Sequence, residues 1–138
     1  MRFLLDTNVV INVLRGTGDT LRERMRRHAD ELAVSTITVA ELHFGVGRSS
    51  DPVHNRRAVA EFLAFLDVLP FDAAAAEHAG DIRAVLTNNG TPIGAYDVLI
   101  GGHARSRAMT VVTNNRREFD RVPGLLVTDW TTSGEPAT

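Results

Sequence analysis

The chain has 138 residues, 43% hydrophobic and 23% charged, enough for one globular domain with a core of its own. No apolar run nears the roughly 18 residues of a membrane span, and the absence of cysteine excludes disulfides, thiolate metal sites and cysteine nucleophiles. The net charge of −2 argues against a protein that coats nucleic acid indiscriminately. All 15 basic side chains are nevertheless arginine, many clustered at 22–27, 56–57, 105–107 and 116–121. Arginine's planar fork suits phosphate, although a GC-rich genome produces the same bias. Arg2 followed at once by Phe3-Leu4-Leu5-Asp6 lacks the form of a secretory leader, so the cytoplasm is the expected compartment, with no membrane association.

Residues 2–5 spell a short buried strand that ends at Asp6. A helix is expected to start near Asn8, to carry Val9, Val10, Val13 and Leu14, and to stop at Gly16. An arginine-rich helix follows over 20–28. Residues 32–35 read as a second strand and 36–46 as a helix closed by Gly47, with Gly45-Val46-Gly47 a helix stop rather than a dinucleotide fingerprint. Asp51-Pro52 opens the next helix, Pro52 taking the first helical position, and Val59, Phe62, Leu63 and Leu66 follow at helical spacing. Val68-Leu69-Pro70 is a short edge strand. A helix from Asp72 buries Ala75, Ala79, Ile82 and Leu86 and ends at Asn89-Gly90. After the turn Thr91-Pro92-Ile93-Gly94 come a helix over 95–106, a β-branched strand over 109–113, a short turn or helix over 116–119 and a last strand over 125–128. The polar stretch 131–138 is expected to be a disordered tail.

Strands alternating with helices predict an α/β fold, a mostly parallel sheet with helices on both faces. In such sheets ligands bind beyond the carboxyl ends of the strands, where the strand order switches. Asp6 falls there, and Asn114 and Asn115 open onto the same edge.

The most informative acids are the solitary ones. Asp6 is the only charged residue between Arg2 and Arg15, Glu41 between Glu31 and Arg48, and Asp97 between Arg83 and Arg105, with histidine counted as neutral. Ile37, Ala40, Glu41 and Phe44 share one helical face, which puts Glu41 in or beside the stripe expected to be buried. Ile93, Asp97, Ile100 and Ala104 have similar spacing. A buried carboxylate without a partner takes up a proton or finds a cation. If the three converge, each pair about 4 Å apart repels by roughly 4 kcal/mol at an effective dielectric near 20, and a divalent cation turns that repulsion into binding. All-oxygen ligands select Mg²⁺ or Mn²⁺. The plainer alternatives are N-capping for Asp6 and Asp97, and for Glu41 an ion pair with an arginine distant in sequence.

A second polar segment runs Thr113-Asn114-Asn115-Arg116-Arg117-Glu118-Phe119. Asn115 with Glu118 has the spacing of a capping box; alternatively Thr113, Asn115 or Glu118 adds a fourth polar contact to a metal or its water, with Arg116 and Arg117 facing phosphates. The five histidines show no ligand spacing and read as surface or satisfied interior residues, and the serines form no nucleophile elbow. A receiver or phosphatase domain also gathers acids at strand ends, but receivers need a lysine and the chain has none. The rival from another class is a catalytically silent module that binds RNA or protein.

With these residues in place, the chain resembles the PIN-domain nucleases, and among them the VapC-type toxins of type II toxin–antitoxin pairs, the enteric subgroup in particular. Phe3-Leu4-Leu5-Asp6-Thr7-Asn8 resembles the first acidic motif, residues 35–42 ending in Ala40-Glu41-Leu42 the second, and residues 94–103 around Tyr96-Asp97 the third. Residues 112–119, with Pro123-Gly124-Leu125 and Asp129-Trp130, resemble the closing segment, so the likeness covers 1–130 in order. The resemblance implies a homodimeric α/β/α sandwich that binds Mg²⁺ or Mn²⁺ through Asp6 and Asp97, with Glu41 completing an acidic triad. It implies a metal-dependent endoribonuclease whose catalytic set is Asp6, Glu41, Asp97, Asn115 and Glu118. Many relatives carry a fourth acid where this chain has Asn115, so Glu118 substitutes or three acids suffice. Thr7, Asn8, Thr113, Arg116 and Arg117 are the implied substrate contacts. The implied partners are a VapB-type antitoxin, whose C-terminal segment covers the acidic groove, and structured RNA. Residues 91–97 and 112–119 are most similar to the subgroup that cleaves initiator tRNA in the anticodon stem-loop.

Overall fold

The computed structural model describes residues 2–131. Five strands, β1 (Phe3–Leu5), β2 (Leu32–Ser35), β3 (Asp67–Leu69), β4 (Thr110–Val112) and β5 (Leu126–Thr128), form one sheet in the order β3-β2-β1-β4-β5. Every pairing is parallel, with Phe3 opposite both Leu32 and Thr110. The helices are α1 (Thr7–Leu14), α2 (Asp19–Arg27), α3 (Thr36–Arg48), α4 (Pro52–Leu63), α5 (Ala73–Asn88), α6 (Ala95–Ser106) and the single turn α7 (Arg116–Phe119).

The pleat sorts the core into two faces. Phe3, Leu5, Leu32, Val34 and Val112 point to one side, where Val9 and Val10 of α1, Leu21 of α2, Leu42 and Val46 of α3, Val59 of α4 and Trp130 complete the cluster. Leu4, Ala33 and Val111 point to the other and meet Ile100 and Ala104 of α6 and Phe119 of α7. Outside α6, Ala79, Ile82 and Leu86 of α5 pack on Val98 and Val122. The α5–α6 contact is close because Gly102 has no side chain: a Cβ there would stand 2.6 Å from the Cα and N of Ala79. No described helix is long and apolar enough to cross a membrane.

The element order agrees with the sequence, and Ala75, Ala79, Ile82 and Leu86 are all buried on α5. Asp51 and Asp72 cap their helices, accepting from the backbone N–H groups of His54 and Ala75. Two local expectations fail. Gly45-Val46-Gly47 does not stop α3, which runs on to Arg48; Val46 is 3% exposed in the core, and that packing carries the helix through two glycines. The buried stripe of α3 is also not 37/40/41/44 but Thr38, Leu42 and Val46, which leaves Phe44 68% exposed and Glu41 half-buried at the stripe's edge. The tail expected over 131–138 lies, apart from Thr131, outside the described residues.

Candidate active site

Strand order reverses about β1: the chain leaves it toward β2 and β3 and later returns on its other side as β4 and β5. Asp6 follows β1 directly. Its backbone N–H still donates to Val112 O at 2.9 Å, so the ladder with β4 fixes the residue before α1 begins. Asp6 stands at the N-cap position of α1, yet its side chain makes no capping bond to the first turn's inner N–H groups. Instead the carboxylate, 2% exposed, accepts from Thr113 Oγ1 at 2.9 Å, one residue past β4. Burial pushes the Asp6 carboxyl above its ordinary value; the bonds from Thr113 and the Thr7 N–H oppose this, and the charges of Glu41 and Glu118 add to it.

Glu41 comes from the second turn of α3. Thr7 Oγ1 donates to Glu41 Oε1 at 2.7 Å, and Thr7 and Thr38 hydroxyls lie 3.0 Å apart. Since the proton of Thr7 goes to Glu41, Thr38 donates to Thr7, and the relay fixes the carboxylate. No ion pair involves Asp6, Glu41 or Asp97 among the described residues, which sets aside the distant-arginine alternative for Glu41.

Asp97 sits in the first turn of α6, whose N-cap is Gly94. Its pKa is pushed up to about 8, by burial first, then by a hydrogen bond to Glu118 and the charges of Asp6, Glu118 and Glu41. Glu118 moves the opposite way: the bond from Asp97 holds its carboxyl low, helped by Asn115 Nδ2 at 3.1 Å, the Gly94 N–H and the charge of Arg121. The two carboxyls therefore titrate as a pair, with the proton favoured on Asp97 over Glu118. Gly94 permits the approach, since a Cβ there would stand 3.2 Å from Asp97 Oδ2.

The structure thus brings Asp6, Glu41, Asp97, Asn115 and Glu118 to one edge of the sheet, close enough for the four carboxylates to perturb one another. The capping box does not form: Asn115 stands at the N-cap of α7, but its side chain turns to the Glu118 carboxylate and caps no N–H. Thr7 and Thr113 are not surface contacts for a substrate. They are 5% and 0% exposed, and each donates its hydroxyl to a carboxylate of the cluster. Asn8, Arg116 and Arg117 are exposed, and Arg116 makes a 3.4 Å contact with Asp120. Among the described residues no three acidic or histidine groups already stand as a metal cage. The carboxylates offer oxygen donors only and are crowded with like charge, the donor type that suits a hard divalent cation.

Sequence reasoning missed Thr38, Ser35 and His103. His103 is fully buried; Nδ1 lies 2.8 Å from Ser35 Oγ, but Nε2 has no hydrogen-bond partner among the described residues, so it is not the satisfied interior histidine expected. Its place three residues after Ile100 on the apolar face of α6 was the available signal. An unpaired buried polar group of this kind costs roughly 1–3 kcal/mol.

Comparison with known proteins supplies the family. A family model described as the PIN domain matches residues 3–125. The chain belongs to the PIN-domain family. It is 44% identical over 130 residues to the tRNA(fMet)-specific endonuclease VapC of Salmonella typhimurium, covering 94% of this chain and 98% of that one. It is 38% identical to ribonuclease VapC2 of Haemophilus influenzae over the same shares. Among solved structures, DNA-bound VapBC from Salmonella typhimurium superposes with a TM-score of 0.91 at 44% identity, again over 94% of this chain and 98% of that one. VapBC2 from Rickettsia felis, bound to a promoter DNA fragment, gives 0.90 at 32% identity over 94% and 99%. The PIN fold accounts for the parallel sheet with its acidic edge, and the receiver alternative falls away.

Proposed function

We propose that this PIN-domain chain is the endoribonuclease toxin of a toxin–antitoxin pair, using Mg²⁺ or Mn²⁺ to cut structured RNA, with initiator tRNA as its substrate. The observation that carries the proposal is the carboxylate cluster, in which burial and mutual repulsion push Asp97 up to about 8 with no cationic partner at Asp6, Glu41 or Asp97 among the described residues. Divalent-cation dependence is general among PIN-domain ribonucleases, and the all-oxygen donor set fits such an ion. The names of the relatives support tRNA as substrate and a VapB-type antitoxin as partner.

In this reading Asp6 and Asp97 hold the cation, Glu118 takes the fourth carboxylate position and Asn115 orients Glu118. When bound, the cation would lower the pKa of a water molecule and neutralise charge building on the phosphate. Glu41, fixed by Thr7, accepts the proton of the water that attacks phosphorus. The phosphorus–oxygen bond to the leaving nucleotide then breaks, the departing oxygen takes a proton from solvent water, and the other fragment keeps a phosphomonoester end. Arg116 and Arg117, exposed on α7 beside Asn115 and Glu118, meet the RNA backbone, as does Asn8 at the start of α1.

The test is cleavage of a purified tRNA(fMet) transcript, with new 5′ ends mapped. EDTA is expected to abolish cleavage and Mn²⁺ to restore it, with Asp6→Asn and Asp97→Asn inactive. Cleavage at full rate in EDTA, or by either variant, overturns the proposal.

A further inference from the structure

Two helices deliver the acids that face each other across the site: α3 brings Glu41 and α6 brings Asp97. One buried side-chain hydrogen bond joins α6 to the residue that starts α3. His103 of α6 reaches Ser35, the last residue of β2 and the N-cap of α3, with Nδ1 2.8 Å from Oγ. The same Oγ accepts the N–H of Ile37 at 3.1 Å, so Ser35 holds the first turn of α3 while it meets His103. Phe71, in the segment between β3 and α5, closes the spot from above. Its ring packs T-shaped on His103 at 5.5 Å, and its N–H donates to Thr36 Oγ1 at 3.0 Å.

The protonation pattern follows from counting partners. If Nδ1 carried the proton, both the Ser35 hydroxyl hydrogen and Nε2 would be left without a partner; if Ser35 donates to Nδ1, only the Nε2–H is left over. The imidazole is therefore an acceptor toward Ser35. Among the described residues one unsatisfied donor remains in a fully buried position; an apolar residue of similar size would remove it but leave the buried Ser35 hydroxyl without its acceptor, so histidine brings no net gain in paired groups. Fold stability alone does not ask for histidine here.

We propose that His103 is a positioning residue for the acidic site: through Ser35 it sets the N-terminal turn of α3, and with it Glu41, against the helix that carries Asp97. The inference rests on the proposed divalent-cation site but concerns residues outside it. Ser35 fixes the direction in which α3 leaves β2. From there Thr38 and Thr7 pass the position on to the Glu41 carboxylate. Among the described residues no other side-chain hydrogen bond or ion pair links α6 to α3 or to Ser35.

The experiment is Mn²⁺ binding to the full chain by isothermal titration calorimetry, with thermal unfolding in EDTA run alongside. His103→Asn keeps an acceptor where Nδ1 stands, His103→Gln moves the amide toward the Nε2 position, and His103→Leu removes both. Glu41 is not one of the two proposed ligands, but its charge acts on both Asp6 and Asp97, so Leu and Gln, which let it shift, are expected to weaken Mn²⁺ binding several-fold while the unfolding temperature in EDTA stays level. Asn is expected to bind within about twofold of wild type. Ser35→Ala should weaken binding as His103→Leu does, and the double variant should be no worse than either alone. Wild-type Mn²⁺ affinity in both Leu and Gln variants, or Asn as weak as Leu, overturns the inference; if Leu does not fold, the Asn–Gln contrast decides. A wild-type chain that binds no Mn²⁺ overturns the site proposal itself, and the inference with it.

Discussion

Thr113→Val isolates what a single hydroxyl does for the site. Valine has the same shape, so the substitution opens no cavity in a position that is 0% exposed. Two hydrogen bonds are lost: the donation to Asp6 Oδ2 at 2.9 Å and the acceptance from the Asn115 N–H at 2.8 Å. A hydrogen bond to an ionised group is worth about 1.5–3 kcal/mol, and the Asn115 N–H is half-buried, so water recovers part of the second. The variant should lose about 2–3 kcal/mol in EDTA at neutral pH. The loss should also depend on pH. Asp6 already sits above its ordinary value because of burial, and the Thr113 bond is the largest influence holding it down. The bond's extra strength exists only while Asp6 is ionised, so the gap between variant and wild type should shrink as pH falls through the Asp6 pKa. In the variant that pKa rises further, and Mn²⁺ affinity at pH 7 should fall about tenfold or more. Urea unfolding in EDTA over an acid-to-neutral pH series, with calorimetric Mn²⁺ titrations, measures both effects. A penalty below about 0.5 kcal/mol at pH 7.5, or one that does not shrink anywhere as the pH is lowered, would refute the assignment of Thr113 to the Asp6 carboxylate.

Three further outcomes are expected. Raising the pH of cation-free protein from about 5.5 to about 8 should lower its stability: the folded state keeps a proton on Asp97, moved from 3.8 to about 8, which the unfolded chain has released. Glu118, whose pKa is lowered, acts in the other direction but below its ordinary 4.5, outside that window, and differential scanning fluorimetry across pH reads the slope. Asp97→Asn replaces the protonated acid with a neutral donor to Glu118. In EDTA it should match wild type near pH 5 and exceed it at pH 8.5, yet show no stabilisation by Mn²⁺; a Mn²⁺-dependent rise in unfolding temperature equal to wild type contradicts Asp97 as a ligand. Gly102→Ala presses a methyl group onto the Ala79 backbone at 2.6 Å, where no side chain can give way. It should cost about 1–3 kcal/mol or more, and an unfolding temperature within 2 °C of wild type, a threshold of about 0.5 kcal/mol for a domain of this size, would contradict the α5–α6 packing.

Much of the fold was legible because its signals are local. The β-branched runs, Asp51-Pro52, Asp72 and Asn89-Gly90 mark element ends through capping and turn chemistry that acts over a few residues. The three acids were legible for a related reason, since a lone carboxylate in an apolar stretch has to be explained by something. What failed was decided by tertiary contact. Gly45 and Gly47 stay helical because Val46 is anchored in the core, and the buried face of α3 is set by its packing on α1 and α4. Thr7 and Thr113 carry no local mark of their role, because their partners Glu41 and Asp6 lie 34 and 107 residues away. His103 and Ser35, 68 residues apart, were invisible for the same reason.

The choice of donors around the acids ties these observations together. Arginine beside each carboxylate would relieve the repulsion and leave little negative charge for a cation to meet. Asp6 and Glu41 take neutral donors instead, Thr113 and Thr7, and Glu118 accepts from Asn115 and the Gly94 N–H, with the charge of Arg121 the one arginine influence on the cluster among the described residues. Each neutral donor fixes an oxygen in place without cancelling its charge. The repulsion is left standing, and in the absence of a cation it is relieved by the cheapest route available, a proton held on Asp97 and shared with Glu118. A divalent cation competes with that proton, so binding should release it and grow stronger with rising pH. Oriented but unneutralised carboxylates cost stability in the empty protein, and that cost is what makes the same residues a site for a doubly charged ion.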